Sequence, residues 1–100
     1  MASYKLLIEN AAKAEVRALP GQVRQRIARA ILTLSEEPQP HSSRPLEVHG
    51  ITLEARRIRI DRWRVIYTVD PQWKEIVVYA VRKRPPYDYA DLDALLKGTE

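Results

Sequence analysis

Cysteine is absent from this chain, so it has no disulfide, no thiolate nucleophile and no zinc site built on cysteine. Only two histidines occur, His41 and His49, too few for an ordinary metal centre, and no cofactor is expected. No apolar run approaches the roughly 20 residues that cross a bilayer, and the N-terminus has no apolar stretch ahead of a small-residue cleavage site. A cytoplasmic protein is expected. At 100 residues, with no repeat, low-complexity tract or linker, residues 1–100 read as one domain. Such a chain buries roughly two thirds of its unfolded surface, which leaves little room for a deep cofactor cleft.

Basic residues are what the chain has in quantity. The net charge is +4, and between Ala55 and Arg84 nine Lys or Arg residues face three acids, Asp61, Asp70 and Glu75. A pI near 9.6 suits a polyanionic partner, although a modest excess of charge equally serves solubility.

The hydrophobic pattern supplies the scaffold. Tyr4 to Ile8 has strand propensity, and Asn10 is placed as the cap of a following helix, Ala11 to Leu19. Pro20-Gly21 ends that helix and opens a second, in which Val23, Ile27, Ala30, Ile31 and Leu34 form one buried stripe. Arg24, Arg26 and Arg29 fall on its wet side. Glu36 to Pro45, with three prolines, reads as a loop crossing to the sheet. Strands are predicted around Leu53 to Ile60, Trp63 to Val69 and Ile76 to Val81, joined by short turns into an antiparallel meander. Asp88 to Lys97 has the spacing and charge order of a short terminal helix. The order strand, helix, helix, three strands, helix predicts an α+β domain with the helical hairpin on one sheet face.

Alternation sorts the side chains of those strands. Arg57 and Arg59 share one side of their strand, opposite Ile58 and Ile60, while Arg64 lies opposite Trp63, Val65 and Tyr67. Ile58, Ile60, Val65, Val69, Val78 and Ala80 are expected to cover the helices. Trp63 suits core packing better than stacking on a base, and Trp73, in a turn, suits either packing or a surface anchor. Neither His41 nor His49 has an evident place in a catalytic site.

Several segments together resemble the RelE/ParE superfamily of toxins from type II toxin-antitoxin pairs, and its RelE-like branch in particular. They are Tyr4 to Ile8, Leu19-Pro20, the Pro-rich loop leading to His49-Gly50, the run Arg57 to Tyr67, and the tail Arg82 to Tyr89. The resemblance implies a RelE-like fold and a ribosome-dependent, metal-independent endoribonuclease that cuts mRNA in the ribosomal A site by attack of a 2'-hydroxyl on the adjacent phosphate. By the same resemblance Arg64 contacts the scissile phosphate, Arg84 stabilises charge or protonates the leaving group, and Tyr87 or Tyr89 is the tail tyrosine. Arg57 and Arg59, with Lys83, are implied to bind RNA. The implied partners are a RelB-like antitoxin, in a hetero-oligomeric complex, and the ribosome. Departures from the pattern are Asp61-Arg62-Trp63-Arg64 in place of Gly-Asp-Tyr-Arg, and Arg82 in place of a frequent glycine.

Guanidinium groups are suited to a phosphorane-like transition state, whose charge collects on the equatorial oxygens. They are poor bases, so Tyr87, Tyr89 or Lys83 would have to accept the 2'-hydroxyl proton through a lowered pKa, or the ribosome would have to supply the geometry and groups. The bland alternative is a solvated sheet face with weak surface ion pairs, and Arg56 and Arg62 belong there. Two other functions fit a chain of this kind: a ParE-like inhibitor of DNA gyrase without nuclease activity, and a nucleic-acid-binding or antitoxin-binding remnant.

Overall fold

The structure, a computed structural model, describes residues 3–48 and 50–97. Along the chain run β1 (Lys5–Ile8), α1 (Asn10–Arg17), α2 (Gly21–Thr33), β2 (Ser43–Leu46), β3 (Glu54–Ile60), β4 (Trp63–Asp70), β5 (Glu75–Lys83) and α3 (Leu92–Lys97). The strands form one sheet in the order β1-β5-β4-β3-β2, in which β1 pairs parallel with β5 and all other pairs are antiparallel. No helix among the described residues is long and apolar enough to cross a membrane.

The passage from β1 into α1 is fixed by the sheet. Glu9, not Asn10, is the N-cap, and it makes no side-chain cap bond; Asn10 is already helical. The Glu9 N–H instead donates to the Val78 carbonyl at 2.9 Å, so the last sheet bond and the first helical turn meet with no residue spare for a cap. Pro20 stands as N-cap of α2 in an extended conformation, where a missing N–H costs nothing, and the Arg24 N–H donates to its carbonyl. The α2 stripe is buried at Ile27, Ile31 and Leu34.

Two apolar clusters lie on opposite faces of the sheet. Ala12 and Leu19 from the α1 side, and Ile27, Ile31 and Leu34 from α2, pack on Ile58, Val65, Tyr67, Val69, Ile76, Val78 and Val81. Ala55, Ile66, Tyr79 and Ala80 on the other face are covered by Tyr87, Tyr89, Leu92, Leu95 and Leu96 of the C-terminal segment. Ala80 therefore does not cover the helical hairpin, contrary to strict alternation, which groups it with Val78. The ladder shifts between Ile66 and Tyr67, so Ile66 pairs with Ala80 but Tyr67 with Val78. Tyr79 is the extra residue of a bulge, and a bulge reverses the facing of everything beyond it.

A second correction concerns the Pro-rich loop. Its end is a strand, in which Ser43, Arg44, Pro45 and Leu46 pair with Ile58, Arg57, Arg56 and Ala55. Proline is tolerated because β2 is the sheet edge and needs donors on one side only. The terminal helix starts at Leu92 and not at Asp88.

Candidate functional site

The strand registers decide which arginines meet. Arg59 is directly opposite Arg64, and Arg64 is directly opposite Arg82, which makes one cross-strand row over β3, β4 and β5. Arg57 lies two residues from Arg59 on the same face and pairs with Arg44 on β2. This is the face of Ile66 and Ala55, away from the helical hairpin.

Carboxylates divide these cations into two groups. Arg56, on the hairpin face, bonds Glu54 at 2.9 Å and the Ser43 hydroxyl through two nitrogens. Arg82 bonds Glu15 at 3.0 Å and also Asp91, while Arg26 pairs with Asp61. No carboxylate among the described residues pairs with Arg44, Arg57, Arg59, Arg64 or Arg84. Their positive charge is not neutralised by an ion pair among the described residues.

Arg64 is held more firmly than its neighbours. It is 8 % exposed, and its Nη1 donates to the carbonyls of Asp61 at 3.1 Å and Trp63 at 3.0 Å. The first carbonyl lies in the two-residue loop Asp61-Arg62, where Asp61 has φ 54, within reach of aspartate though uncommon for non-glycine residues, and the second belongs to the first residue of β4. The Arg64 Nε is buried without a partner. The Nε N–H is thus orphaned beside an Nη1 that two carbonyls fix.

The segment after β5 brings the other candidates to this face. The Arg84 guanidinium lies 5.1 Å from the Tyr89 ring centroid, and Arg82 lies 5.0 Å from that of Tyr87. The two tyrosine rings meet edge-on at 5.1 Å. Tyr87 donates to Asp91 at 2.8 Å, whereas the buried Tyr89 hydroxyl has no partner. Burial and then the hydrogen bond to Asp91 push the Tyr87 phenol above its ordinary value. In this arrangement Tyr87 holds its proton, the reverse of what a general base requires. Partial burial opposes ionisation of Asp91, but hydrogen bonds from Arg82 and Tyr87 hold its carboxyl below the usual range.

Other expected residues lie elsewhere. Lys83 is exposed and pairs in register with Trp63. Trp63 packs with the hairpin core, on the opposite face from Arg64, and Trp73 is 75 % exposed. His49 lies outside the described residues. Sequence reasoning missed His41 and Arg44, which line a polar pocket of about 320 Å³ together with Ser42, Arg57 and Arg59. Alternation along Ser43–Leu46 would have exposed Arg44, had Pro45 not masked the strand. A groove of about 570 Å³ runs beside Trp63, Leu19, Lys83, Tyr87 and Asp91, but Arg64 does not line it.

A small α+β domain with a helical hairpin on one sheet face and an arginine row on the other defines the class of protein. A family profile described as the ParE toxin of type II toxin-antitoxin systems, parDE, matches residues 6–85. The chain belongs to this family, within the RelE/ParE superfamily of type II toxins. Its fold is similar to that in the archaeal RelE-RelB complex from Pyrococcus horikoshii OT3, with a TM-score of 0.74 and 26 % identity over 85 % of this chain and 99 % of that one. The isolated E. coli RelE toxin superposes with a TM-score of 0.66 at 19 % identity, over 98 % of this chain and 100 % of that one. A chain of the intact E. coli RelBE toxin-antitoxin complex gives 0.60 at 22 %, over 81 % of this chain and 96 % of that one. No curated protein matches the sequence.

Proposed function

We propose that this toxin is a ribosome-dependent endoribonuclease that cleaves mRNA in the A site. The observation that carries the reading is the group of arginines without carboxylate partners among the described residues, Arg57, Arg59 and Arg64, on the face where the segment carrying Arg84 and Tyr89 also packs. In the reaction the 2'-oxygen bonds to phosphorus as the bond to the 5'-oxygen breaks. The 2'-hydroxyl loses a proton and the leaving oxygen gains one. Arg64, immobilised through Nη1, stabilises the equatorial oxygens, and Arg57 and Arg59 hold the strand. Arg84, stacked on Tyr89, supplies positive charge at the leaving group. With Tyr87 held neutral, the chain contributes charge and positioning, and the ribosome contributes the geometry for proton removal. The steps so assigned call on no metal or cofactor.

The cellular partner is an antitoxin of the RelB kind. The solved relatives with RelB support this, as does the excess positive charge of the chain. A short neighbouring reading frame encoding an acidic, partly disordered protein is the expected source.

Induction of the chain alone, with mapping of RNA ends in translated messages, tests the reading. Codon-dependent cuts that vanish in folded Arg64→Ala and Arg84→Ala variants are expected. Unchanged toxicity in both variants would sink the nuclease site. The match to the ParE profile favours a second reading, a gyrase inhibitor without nuclease activity. Gyrase-linked DNA breaks with intact mRNA would select it.

A further inference from the structure

The pocket at the outer end of the arginine row has no part in the chemistry assigned to Arg64. Its lining, His41, Ser42, Arg44, Arg57 and Arg59, contains no acid. Its wall is pinned. The Arg44 Nη1 donates to the His41 carbonyl at 3.0 Å and to the Ser43 carbonyl at 2.8 Å, and Ser43 bonds the Pro40 carbonyl through both its N–H and its hydroxyl. The Arg59 N–H reaches the Ser42 carbonyl, tying this turn to β3. Inside that frame the His41 ring, the Ser42 hydroxyl and the Arg57 and Arg59 guanidinium groups form no hydrogen bonds with described residues. Arg56, adjacent in sequence but on the opposite face, has its donors occupied by Glu54 and Ser43. Arg56 and Arg57, neighbours in the chain, thus differ: the first has its donors taken and the second does not.

We propose that this pocket is a second phosphate subsite, which takes a backbone phosphodiester of single-stranded RNA away from the bond cut at Arg64. The assignment rests on the nuclease reading for the identity of the strand, and on the pocket alone for the anion. Arg57 and Arg59 approach the phosphate from the sheet, His41 and Ser42 donate to it from the turn, and Arg44 keeps the turn in place. Three guanidinium groups in one acid-free pocket repel one another until an anion enters. Arg59 belongs both to this pocket and to the row opposite Arg64, so a strand held here runs on toward the reacting centre.

The test titrates the purified full chain with a short single-stranded oligouridylate and follows backbone amide shifts and affinity across a salt series. Shifts at Ser42, Ser43 and Arg44 are expected. His41→Gln and Arg57→Gln should each weaken binding several-fold, and Arg57→Gln should lower the salt slope by about 0.7, the value for one lost phosphate contact on a single strand. Neither side chain bonds within the fold, so both variants should keep the melting temperature of the parent. Shifts confined to β4 and the segment after β5, with affinity and slope unchanged in both variants, would overturn the subsite. Failure of the nuclease reading is separately visible: RNA binding with turn shifts but no cleavage in a translating extract leaves the subsite standing and removes the enzyme.

Discussion

Arg59 and Arg64 stand directly opposite each other across the β3–β4 ladder, and neither has a carboxylate partner among the described residues. Like charges so placed weaken a sheet by a few tenths of a kcal/mol, up to about 1 kcal/mol. On the proposed reading, that charge serves the RNA. Arg59→Gln should therefore leave stability unchanged or slightly raised, while cleavage in a translating extract falls about tenfold, as expected for one lost charge-assisted contact. Arg56→Ala should do the opposite, since its donors go to Glu54 and Ser43: stability falls by about 1–3 kcal/mol and cleavage stays near the parent rate. Urea denaturation and single-turnover cleavage on the two variants read both quantities.

Ile31 and Leu32 are neighbours on α2 with opposite fates. Ile31 is 2 % exposed against the sheet, and Leu32 is 65 % exposed. Ile31→Ala should cost about 2–5 kcal/mol through lost transfer energy and a residual cavity. Leu32→Ala should stay within about 0.5 kcal/mol. Denaturant midpoints at constant slope distinguish these outcomes.

The parts of the molecule legible in the sequence are those with local periodicity. The α2 stripe and the alternation of Arg57, Ile58, Arg59 and Ile60 needed no partner strand to be read. Pro45 hid β2 because the proline rule applies to central strands, and nothing local marks this segment as an edge. The facing of Ala80 was hidden by a bulge that leaves no signature in the residue pattern. Within the candidate site, alternation grouped Arg57 with Arg59, but only register sets Arg64 opposite Arg59. The division into spent and unspent cations was out of reach, because it depends on partners such as Glu15, which lies 67 residues from Arg82.

Glu15 links α1 to the exposed end of β5, where β1 no longer pairs. Its Oε1 accepts from the Val81 N–H at 3.0 Å and its Oε2 from the Arg82 Nε at 3.0 Å. Val81 is buried, so Glu15→Ala would leave its N–H unsatisfied at a cost of about 1–3 kcal/mol. Glu15→Gln keeps an acceptor and should recover part of that loss. Hydrogen exchange at the Val81 amide should quicken markedly in the alanine variant and less in the glutamine variant.

Docking of the C-terminal segment on the arginine face should depend on pH through Asp91 and Tyr87. Asp91 is stabilised as a carboxylate by Arg82 and Tyr87, so its folded pKa is depressed, and its contribution is complete above the unfolded value of about 4. That contribution is lost as pH falls through the folded pKa. Tyr87 shifts in the opposite direction: burial and the bond to Asp91 favour the phenol, so its contribution is complete below the unfolded value of about 10 and is lost as pH rises beyond it. Docking should be firmest between these limits. Amide exchange in Tyr87–Leu96, followed from acid to alkaline pH, should show protection on this plateau with a fall at either end. Asp91→Asn should abolish the acid limb and leave the alkaline one, while Tyr87→Phe should abolish the alkaline limb. An acid limb that persists unchanged in Asp91→Asn would mean that another carboxylate holds the segment in place.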